Sequence, residues 1–589
     1  MQKKSPFFRH KLLISAIAAA CVSPAYAQNP AAEPTEGLEE IQITGSRIRN
    51  VTSMTTPTPV TVVTQEELIN LNPSSTMAEQ LDALPQFFNT QTAQRGGGTF
   101  TSASGSFLNL RGMGASRTLV LLDGSRIIPA DANGSVNIDN FPSALMTRTD
   151  VITGGASAAY GADALAGVVN FVLDREFEGL KTRVSTGVSE RRDGENISFS
   201  IAGGKGFMED RLHVIGSFET RLIDQINADQ DRLDNWEDYG LVANPAWVSA
   251  TATPNIPRRI TVPSVFGNRS SPQGLITTPN FALTNFTFTD DGLGVRPYRF
   301  GAYSNSFTNS QSAGPEYGTN NLANVSGPDG NEVVQRSFFG GVKFDITDSF
   351  SVHAQGITGR TESNAFGLRG NMMIAQRTPT AAGIYDYILY KENPYLPQVV
   401  VDEMTKANLS SISVSKLGQV RGPGLLNSYD NRANRDISQL ESATVGFEWD
   451  IDDNWHLTGN YQHGESKVQT GALNIPRIDR YYLAIDAVKN GAGQIVCNIS
   501  TVNPTAEQLK AFMAGKLLPS PLTQLGVTAD SPIGPVNPAD CRPLNILGLG
   551  NSSQAGIDYV EDAEKKSVRN MEQDFAEVLL SGEIYEGWG

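Results

Sequence analysis

The sequence predicts a small α+β domain followed by an antiparallel transmembrane β-barrel. Three features predict this class: an export signal at residues 1–27, a mixed unit of short helices and strands at residues 50–175, and alternating strands over residues 180–589. The alternation of apolar and polar residues indicates a sheet with one apolar face. A secreted array of β-sandwiches is the alternative that this pattern leaves open.

The export signal has three parts. Four basic residues precede Leu12, the apolar run "LLISAIAAA" follows, and "AYA" ends at Ala27 as a small-residue cleavage site. Removal of the signal takes away four positive charges and no acid, so the formal net charge of −16 becomes −20. This acidity argues against nucleic acid as a partner.

The mixed unit starts with a strand and two helices. "TPVTVVT" predicts the strand, and Thr64 followed three residues later by Glu67 has the spacing of a helix capping box. "TMAEQLDALPQF" predicts a second helix that ends at Pro85. The strand-like runs that follow are separated by glycine turns; they are "FLNLRGMG", "RTLVLLDGSRI", "RTDVITGG" and "AGVVNFVL".

The stretch "GGASAAYGADALAGVVNFVL" at residues 154–173 is nearly all small or apolar. As a membrane helix it would contain four glycines and would leave Asp163 and Asn170 in hydrocarbon. It matches neither the P-loop nor the dinucleotide-binding fingerprint. We therefore expect a tightly packed loop that ends in a buried strand, "GVVNFVL".

The strands after residue 180 are joined by links of two kinds. "FDITDSF" and "WDIDDNW" are near-copies of one tight turn, whereas polar links over residues 223–333, 362–438 and 467–568 are very long. With strands of about ten residues, eight are visible, and every long link follows an odd strand while every tight turn follows an even one. Short turns on one side and long loops on the other are typical of outer-membrane barrels.

Three motifs resemble the plug domain of TonB-dependent outer-membrane receptors. They are "EEIQITGSRI", "LNLRGMGASRTLVLLDGSRI" and "RTDVITGGASAAYGADALAGVVNFVL", and they occur in the family's order over residues 38–175. The resemblance implies a barrel of about 22 strands in the Gram-negative outer membrane, closed by the plug. The plug would face the periplasm, and the barrel would need no cofactor.

The resemblance also implies partners. TonB, energised by ExbB and ExbD, would pull on a short box near the amino terminus, and the barrel would contact outer-membrane lipid, the barrel-assembly machinery and an unidentified extracellular ligand. Because only eight strands are visible, we expect residues 180–589 to be the N-terminal portion of a barrel. We accordingly expect a C-terminally truncated fragment that does not transport.

The box is expected in the linker at residues 28–49. Alternating isoleucines in a flexible tail can add as a strand to the exposed sheet edge of a partner. The alternative is that "IQIT" is simply the first strand of the plug. The candidate TonB-box residues are Glu40, Ile41, Gln42, Ile43 and Thr44.

Within the plug, two arginines and seven glycines stand at motif positions. The resemblance implies that Arg111 and Arg148 pair with barrel carboxylates, and the alternative is that they are solvated arginines of the lumen. Glycines permit close backbone approach in a plug that must fill a barrel and still move. The motif glycines are Gly112, Gly114, Gly124, Gly154, Gly155, Gly161 and Gly167.

Two features of the long links bear on ligands and stability. Cys497 and Cys541 fall in one link, and export to an oxidising compartment favours a disulfide over two free thiols. Aromatic residues interleaved with short polar ones predict either a ligand surface for sugars or peptides or a local core. These candidates are Phe286, Phe288, Tyr298, Phe300 and Tyr303.

The function expected is energised uptake of a bulky nutrient. An oligosaccharide or peptide is favoured and an iron chelate comes next, because "VITGGASAAYG" departs from the "LRGP" form of many iron-siderophore receptors. The alternative is a passive porin or a surface adhesin. We expect neither an enzyme nor a metal site, since the sequence has no catalytic triad and no HExxH motif, and the spacing of His213, His353 and His456 forms no metal site.

Overall fold

The computed structural model describes most of the chain in separate ranges. They are residues 59–72, 76–95, 104–154, 156–226, 240–249, 251, 255–262, 266–267, 271, 273–299, 304–305, 310–311, 330–366, 387–416, 433–452, 454–475, 477–502, 537–560 and 563–582. Within these ranges no helix is long and apolar enough to cross a membrane.

The amino-terminal domain is a five-stranded sheet with two helices against it. The strand order is β1-β4-β5-β2-β3, in which β2 and β5 are parallel and the other pairs are antiparallel. The strands are β1 (Val60–Thr64), β2 (Thr118–Leu122), β3 (Ser125–Arg126), β4 (Met146–Ile152) and β5 (Gly167–Leu173). The helices are α1 (Gln65–Leu71), α2 (Met77–Asp82) and the single turn α3 (Ser157–Tyr160).

Local sequence signals explain the start of each long helix. Thr64 caps α1 and is bonded in return by Glu67, so the predicted capping box is confirmed, and Thr76 with Glu79 forms a second one. The helix α2 ends at Asp82, before the predicted boundary at Pro85. Four 3-10 turns complete the domain: Ala115–Arg117, Ile138–Asn140, Ser143–Leu145 and Ala162–Ala164.

The strand predictions for this domain were right except for one. The run "GVVNFVL" is the almost wholly buried β5, as predicted. "FLNLRGMG" is not a strand: it makes isolated bridges at Phe107 and Leu110, and Arg111 and Gly112 then turn the chain with positive φ. Two consecutive left-handed residues cannot continue a β-ladder.

Eight long strands form a second sheet, which we call the wall. Each strand pairs antiparallel with the next wall strand along the chain, in the order β25-β22-β21-β18-β17-β8-β7-β6. The wall strands are β6 (Gly179–Gly187), β7 (Asn196–Phe207), β8 (Leu212–Ile223), β17 (Glu332–Thr347), β18 (Phe350–Phe366), β21 (Ala433–Asp450), β22 (Trp455–Ile475) and β25 (Ala563–Gly582).

The order of turns and links agrees with the sequence, but the strand lengths do not. Tight turns join β7 to β8, β17 to β18 and β21 to β22, and long links leave the opposite ends. The strands β17 to β25 of the wall have 16 to 21 residues rather than the predicted ten. The polar ends of these strands have no apolar face, which is why the alternation pattern did not extend to them.

The two faces of the wall differ in what they touch. Inward residues of five successive wall strands belong to the core of the amino-terminal domain; they are Ala202, Ile215, Phe339, Ile357 and Leu440. Residues of the opposite parity, such as Val214, Val445 and Val578, are exposed. The domain therefore lies against one face of the wall, and the exposed apolar face points away from it.

A third unit, which we call the cap, is formed by parts of three long links. It comprises residues 273–299, 387–416, 477–502 and 537–560, with one apolar core. Its sheet has the order β14-β13-β12-β20-β19. The strands are β12 (Leu275–Ile276), β13 (Phe286–Phe288), β14 (Val295–Pro297), β19 (Tyr387–Tyr390) and β20 (Ser411–Ser415).

Helices pack against the cap sheet, and described residues of the long links form further small sheets. The helices are α4 (Gln398–Lys406), α5 (Ile478–Ile485), α6 (Ile499–Val502) and α7 (Gln554–Val560), with a 3-10 turn at Pro538–Asp540. The remaining strands are β9 (Gly240–Ala243), β10 (Arg259–Val262), β11 (Phe266–Gly267), β15 (Ser304–Asn305), β16 (Ser310–Gln311), β23 (Ala487–Lys489) and β24 (Ile495–Cys497). The sequence predicted polar loops here, so this folded unit is a finding of the structure.

Candidate functional site

One short segment of the amino-terminal domain, residues 137–145, contacts several wall strands, and we call it the brace. Its second 3-10 turn is held by Glu219 of β8: Ser143 Oγ donates to Glu219 Oε2 at 2.7 Å, and the Ala144 amide donates to Oε1 at 2.9 Å. These are hydrogen bonds to a charged acceptor at the amino end of a turn, where free amides point outward. The carboxylate therefore fixes the position of the brace on the wall.

Three further wall strands hold the same segment. The Gln335 side-chain amide of β17 donates to the Asp139 carbonyl, and Asn137 Nδ2 donates to Ser438 Oγ of β21 at 3.4 Å. On β18, a Cβ placed on Gly359 would lie 2.4 Å from Asn140 Oδ1, so the brace fits there only against glycine. The brace thus contacts β8, β17, β18 and β21 together.

A small polar cavity lies beside the brace, between the domain and the wall. Its volume is about 60 Å³, and its lining includes Asp139, Arg183, Glu219 and Arg221. Burial raises the pKa of Asp139 to about 6, with Ser106 and Arg221 opposing the shift. The volume is sufficient for a few water molecules among these groups.

Ion pairs tie the end of the domain to the wall. Arg175 Nη1 lies 3.5 Å from Glu448 Oε1 of β21, and Arg175 Nε lies 3.0 Å from Asp123 Oδ2 of the domain itself. Lys343 of β17 pairs with Glu176. Burial raises the pKa of Asp123, while Arg175 opposes this change. None of these residues stands in a motif, although charged residues directly after a buried strand are a usable sequence signal.

The two predicted arginines bond within the domain. Arg111 Nη2 donates to the Ala166 carbonyl at 2.8 Å, and Arg148 Nε pairs with Asp150 Oδ1 at 3.1 Å. Both bonds stabilise the loop and strand that surround β5. A pairing of Arg111 and Arg148 with barrel carboxylates stays a prediction.

Five of the seven motif glycines have a positive φ. At Gly167, where φ is +141°, a Cβ would lie 2.1 Å from the Ile152 carbonyl oxygen and 2.5 Å from Leu110. This is the close backbone approach that the motif predicts. The other four are Gly112, Gly114, Gly124 and Gly161. Gly154 is half-buried, and Gly155 lies outside the described residues.

The predicted disulfide is confirmed, and the described aromatic candidates are buried or partly buried in the cap. Cys497 and Cys541 are bonded with a Cα–Cα distance of 6.1 Å. Phe288 and Tyr298 are 0% and 5% exposed within the cap, in agreement with the alternative of a local core, and a role in ligand binding stays a prediction. Phe286 is partly buried against the same core.

Other candidates lie outside the described residues. These are the export signal, the linker at residues 28–49 with its box from Glu40 to Thr44, and the two aromatics Phe300 and Tyr303. They stay predictions.

One group of side chains in the described ranges could offer three metal-ligand atoms. It consists of His463 of β22 with Glu572 and Asp574 of β25, and it is exposed or half-exposed. His463 is not among the three histidines considered from the sequence. Only the register of β22 with β25 places it opposite Asp574, and that register is not visible in the sequence. Exposed acidic groups of this kind are common without an ion, so we assign it no role.

The amino-terminal α+β domain packs on one face of a wall of eight long antiparallel strands. Residues 52–168 match the family model of the TonB-dependent Receptor Plug Domain. The resemblance to TonB-dependent receptors is therefore confirmed, and we call the amino-terminal domain the plug from here on.

Several solved structures match parts of the chain at low identity. They include a mutant ferric enterobactin receptor from Pseudomonas aeruginosa at 14% identity, with a TM-score of 0.36 over 71% of this chain and 42% of that one. The siderophore receptor PirA from Acinetobacter baumannii matches at 12% identity, with a TM-score of 0.35 over 71% and 45%. The siderophore receptor PiuA from the same organism matches at 12%, with a TM-score of 0.32 over 89% and 55%. The chain thus spans between 42% and 55% of the length of these three structures.

Proposed function

We propose that this protein is a TonB-dependent receptor that imports a bulky ligand through the outer membrane. The observation that supports this proposal most is the shared core of plug and wall: Ile215, Phe339 and Ile357 of the wall pack with plug residues. In a barrel, a plug packed on the inner face in this way would block passage. Import therefore requires that the plug move and that energy be supplied to move it.

The energy would come from TonB, with ExbB and ExbD, acting on residues 40–44. Along the sequence, that segment precedes β1, which lies at the edge of the plug sheet and has one strand partner among the described residues, β4. Five residue pairs, from Val60 with Ile152 to Thr64 with Arg148, hold it there. An edge strand with one neighbour is the part of the sheet that a pull would detach first.

The barrel would lie in the outer membrane with its exposed apolar face against lipid. Tight turns would face the periplasm and the cap would face outward, following the usual arrangement of short and long connections. Assembly into the membrane would need the barrel-assembly machinery. Strands with all backbone groups paired to neighbours are the form of β-structure that hydrocarbon tolerates.

For the ligand, an iron chelate is the first class to test. One ground for an oligosaccharide or peptide was the aromatic residues of the long links, and two of these, Phe288 and Tyr298, are buried in the cap. The similar structures named above are receptors for ferric enterobactin and other siderophores by name. The names of these structures decide only which ligand class is assayed first.

Deletion of residues 38–45 in the native gene tests energised import. The matched control is deletion of residues 29–36, which removes the same length of linker and leaves the box in place. We expect the first deletion to abolish uptake of ferric chelates in cells while ligand binding to the surface is retained, and the control to keep both.

Uptake that survives deletion of residues 38–45 would contradict the proposal. That result would favour the alternative, a passive porin or surface adhesin, because neither uses the box. Loss of binding along with uptake would instead point to misassembly, which surface labelling of the cap detects.

A further inference from the structure

The face of the wall that points away from the plug, which we call the outward face, carries a band of apolar residues. On β22 this band runs from Trp455 to Tyr461, and His463 follows on the same face. Side chains of the band are widely exposed, as Phe338 at 55% and Val578 at 71% illustrate. With the outward face in a bilayer, the two ends of the band mark the two headgroup layers.

The end of the band on the side of the long links shifts from strand to strand. The first ionisable outward residues beyond the band are Asp574 on β25, His463 on β22, Glu441 on β21, Arg360 on β18 and Arg336 on β17. Asp574 lies opposite His463. Relative to these two, the register places Glu441 two residues further from the tight turns, and Arg360 and Arg336 four residues further. The shift thus has one direction across five strands.

This shift gives the tilt of the strands. Four residues correspond to about 13 Å along a strand, and the four strand spacings from β25 to β17 to about 19 Å. One plane through the five residues therefore requires strands tilted by about 35° from its normal, as in membrane barrels. Aromatic residues at the other end of the band shift in the same direction, since Trp449 lies opposite Phe350 but Phe344 lies opposite Val352.

Two arginines are neighbours at this depth. Arg336 and Arg360 lie directly opposite each other in the register of β17 with β18, where like charges repel. The same row continues with Gln439 on β21 and Lys467 on β22. These four adjacent side chains are all hydrogen-bond donors, and none of them is a carboxylate. The carboxylates at the same depth belong to β21 and β25.

The carboxylate beside the two arginines is shared. Glu362 Oε2 lies 3.0 Å from Arg360 Nη2, and Glu362 Oε1 lies 2.8 Å from Arg435 Nε. One negative charge thus faces two guanidinium groups, and Arg336 on the neighbouring strand is exposed. Three cations and one anion leave a positive charge at this place, which favours an anionic partner.

The position of the pair indicates the class of partner. Phosphate oxygens accept paired hydrogen bonds from planar guanidinium groups. One row closer to the middle of the band, Phe338 lies opposite Phe218, with ring centroids 4.6 Å apart. A molecule that fits both features carries a phosphate next to an apolar chain. A lipid with a phosphate headgroup has this composition, whereas inorganic phosphate has only one half of it.

We propose that Arg336 and Arg360 bind the phosphate of an outer-leaflet lipid whose acyl chains cover Phe338 and the band. The proposal rests on the proposed function only for the membrane around the outward face, and not for import. The bound phosphate offsets the repulsion between the two guanidinium groups. It also fixes the height of β17 and β18 in the membrane.

Binding is measured by native mass spectrometry on the purified full chain in detergent. The probes are a short-chain phosphatidic acid and the diacylglycerol with the same chains, which lacks the phosphate. We expect the wild type to retain the phosphatidic acid more tightly than the diacylglycerol. Arg336→Gln and Arg360→Gln should each weaken retention of the acid at least about tenfold, as for the loss of a hydrogen bond between charged groups. Arg336→Lys keeps the charge without the planar fork and should lie between.

Lys205→Gln is the matched control for loss of one positive charge. Lys205 is an exposed outward residue of β7, beside Phe207 and near the opposite end of the band. Its substitution should leave retention of phosphatidic acid unchanged. Equal weakening in the control, or equal retention of both probes by the wild type, would overturn the proposal. Displacement of phosphatidic acid by inorganic phosphate at the same concentration would also overturn it, by showing a site for free phosphate.

Depth in the bilayer tests the geometry separately. Arg360→Cys, Asp574→Cys and Gly356→Cys each carry one fluorophore in vesicles of phosphatidylcholine brominated at chosen chain positions. Gly356 lies in the same register row as Asp574, through Ala443 and His463, and a Cβ there would be 3.9 Å from its nearest neighbour. We expect equal shallow depths for positions 360 and 574 and a greater depth for position 356.

Equal depths for positions 356 and 574 would show upright strands and would overturn the proposal. So would a lack of quenching at all three positions, because the outward face would then not contact lipid. Neither measurement depends on uptake or on TonB. The deletion of residues 38–45 should therefore bind phosphatidic acid as the wild type does, even where it abolishes import.

Discussion

Substitution of Glu219 tests how the plug is fastened to the wall. In Glu219→Ala the brace loses the acceptor of two hydrogen bonds, from the Ser143 hydroxyl at 2.7 Å and the Ala144 amide at 2.9 Å. No other wall carboxylate is described at this turn. The brace should then detach from β8 more often than in the wild type.

The geometry gives the size of the effect. A hydrogen bond to a charged group contributes about 1.5–3 kcal/mol, so two such bonds at the lower end contribute about 3 kcal/mol to local attachment. That free energy corresponds to about 100-fold in the population of the detached state. Glu219→Gln keeps the size of the side chain and one good acceptor, so its effect should lie between those of wild type and alanine.

Amide exchange of residues 137–145 in the purified chain measures this detachment directly. The control is Glu448→Ala, which removes another wall carboxylate in contact with the plug, the partner of Arg175 at 3.5 Å. Since Glu448 is 43% exposed, that pair contributes about 0–1 kcal/mol and its loss should speed exchange less than about fivefold. Equal effects of the two alanine variants, or no effect of Glu219→Ala on the brace, would refute the reasoning.

Three other outcomes follow from single features. Serine at both Cys497 and Cys541 opens a link with a sequence separation of 44; the loss of about 4 kcal/mol in the chain-entropy model should lower the melting temperature of the cap but not of the plug. Gly167→Ala should destabilise the plug by at least about 3 kcal/mol through steric overlap and φ strain, whereas Gly124→Ala, with open space around its Cβ, should cost about 1 kcal/mol in denaturant titration. Because burial raises the pKa of Asp139 to about 6, the folded plug binds more protons than the unfolded chain between about pH 4 and pH 6. Its stability should therefore fall as the pH rises through that window, and a flat profile for the wild type, or a slope that survives Asp139→Asn, would contradict this.

The sequence predicted those parts of the fold that depend on neighbouring residues. The capping box of Thr64 with Glu67, the buried strand β5 and the alternation of tight turns with long links all follow from local spacing, and the structure has each of them. The disulfide followed from the compartment and from there being two cysteines after the signal. These predictions are correct because each depends on residues that are close together in the sequence, or on the number of cysteines and the compartment.

The parts that sequence reasoning missed depend on residues far apart in the chain. Glu219 is one polar inward residue in a wall strand full of them, and only the packing of plug on wall distinguishes it. The cap core brings together Ile276, Val414 and Ile557 from separate links, each of which looks polar by itself. From the sequence, Phe288 could be either a ligand residue or a core residue. Its burial depends on residues more than a hundred positions away, such as Val414.

The shared core of the cap restricts which of the long links can be replaced independently. Its core takes residues from three of them, and the last helix, α7, ends only at Val560. The apolar sides of the earlier segments therefore stay uncovered until that helix has folded against them. A variant in which one link is replaced by the corresponding link of a related protein would leave the same surfaces exposed. Replacement should therefore preserve the cap only when all three links are exchanged together.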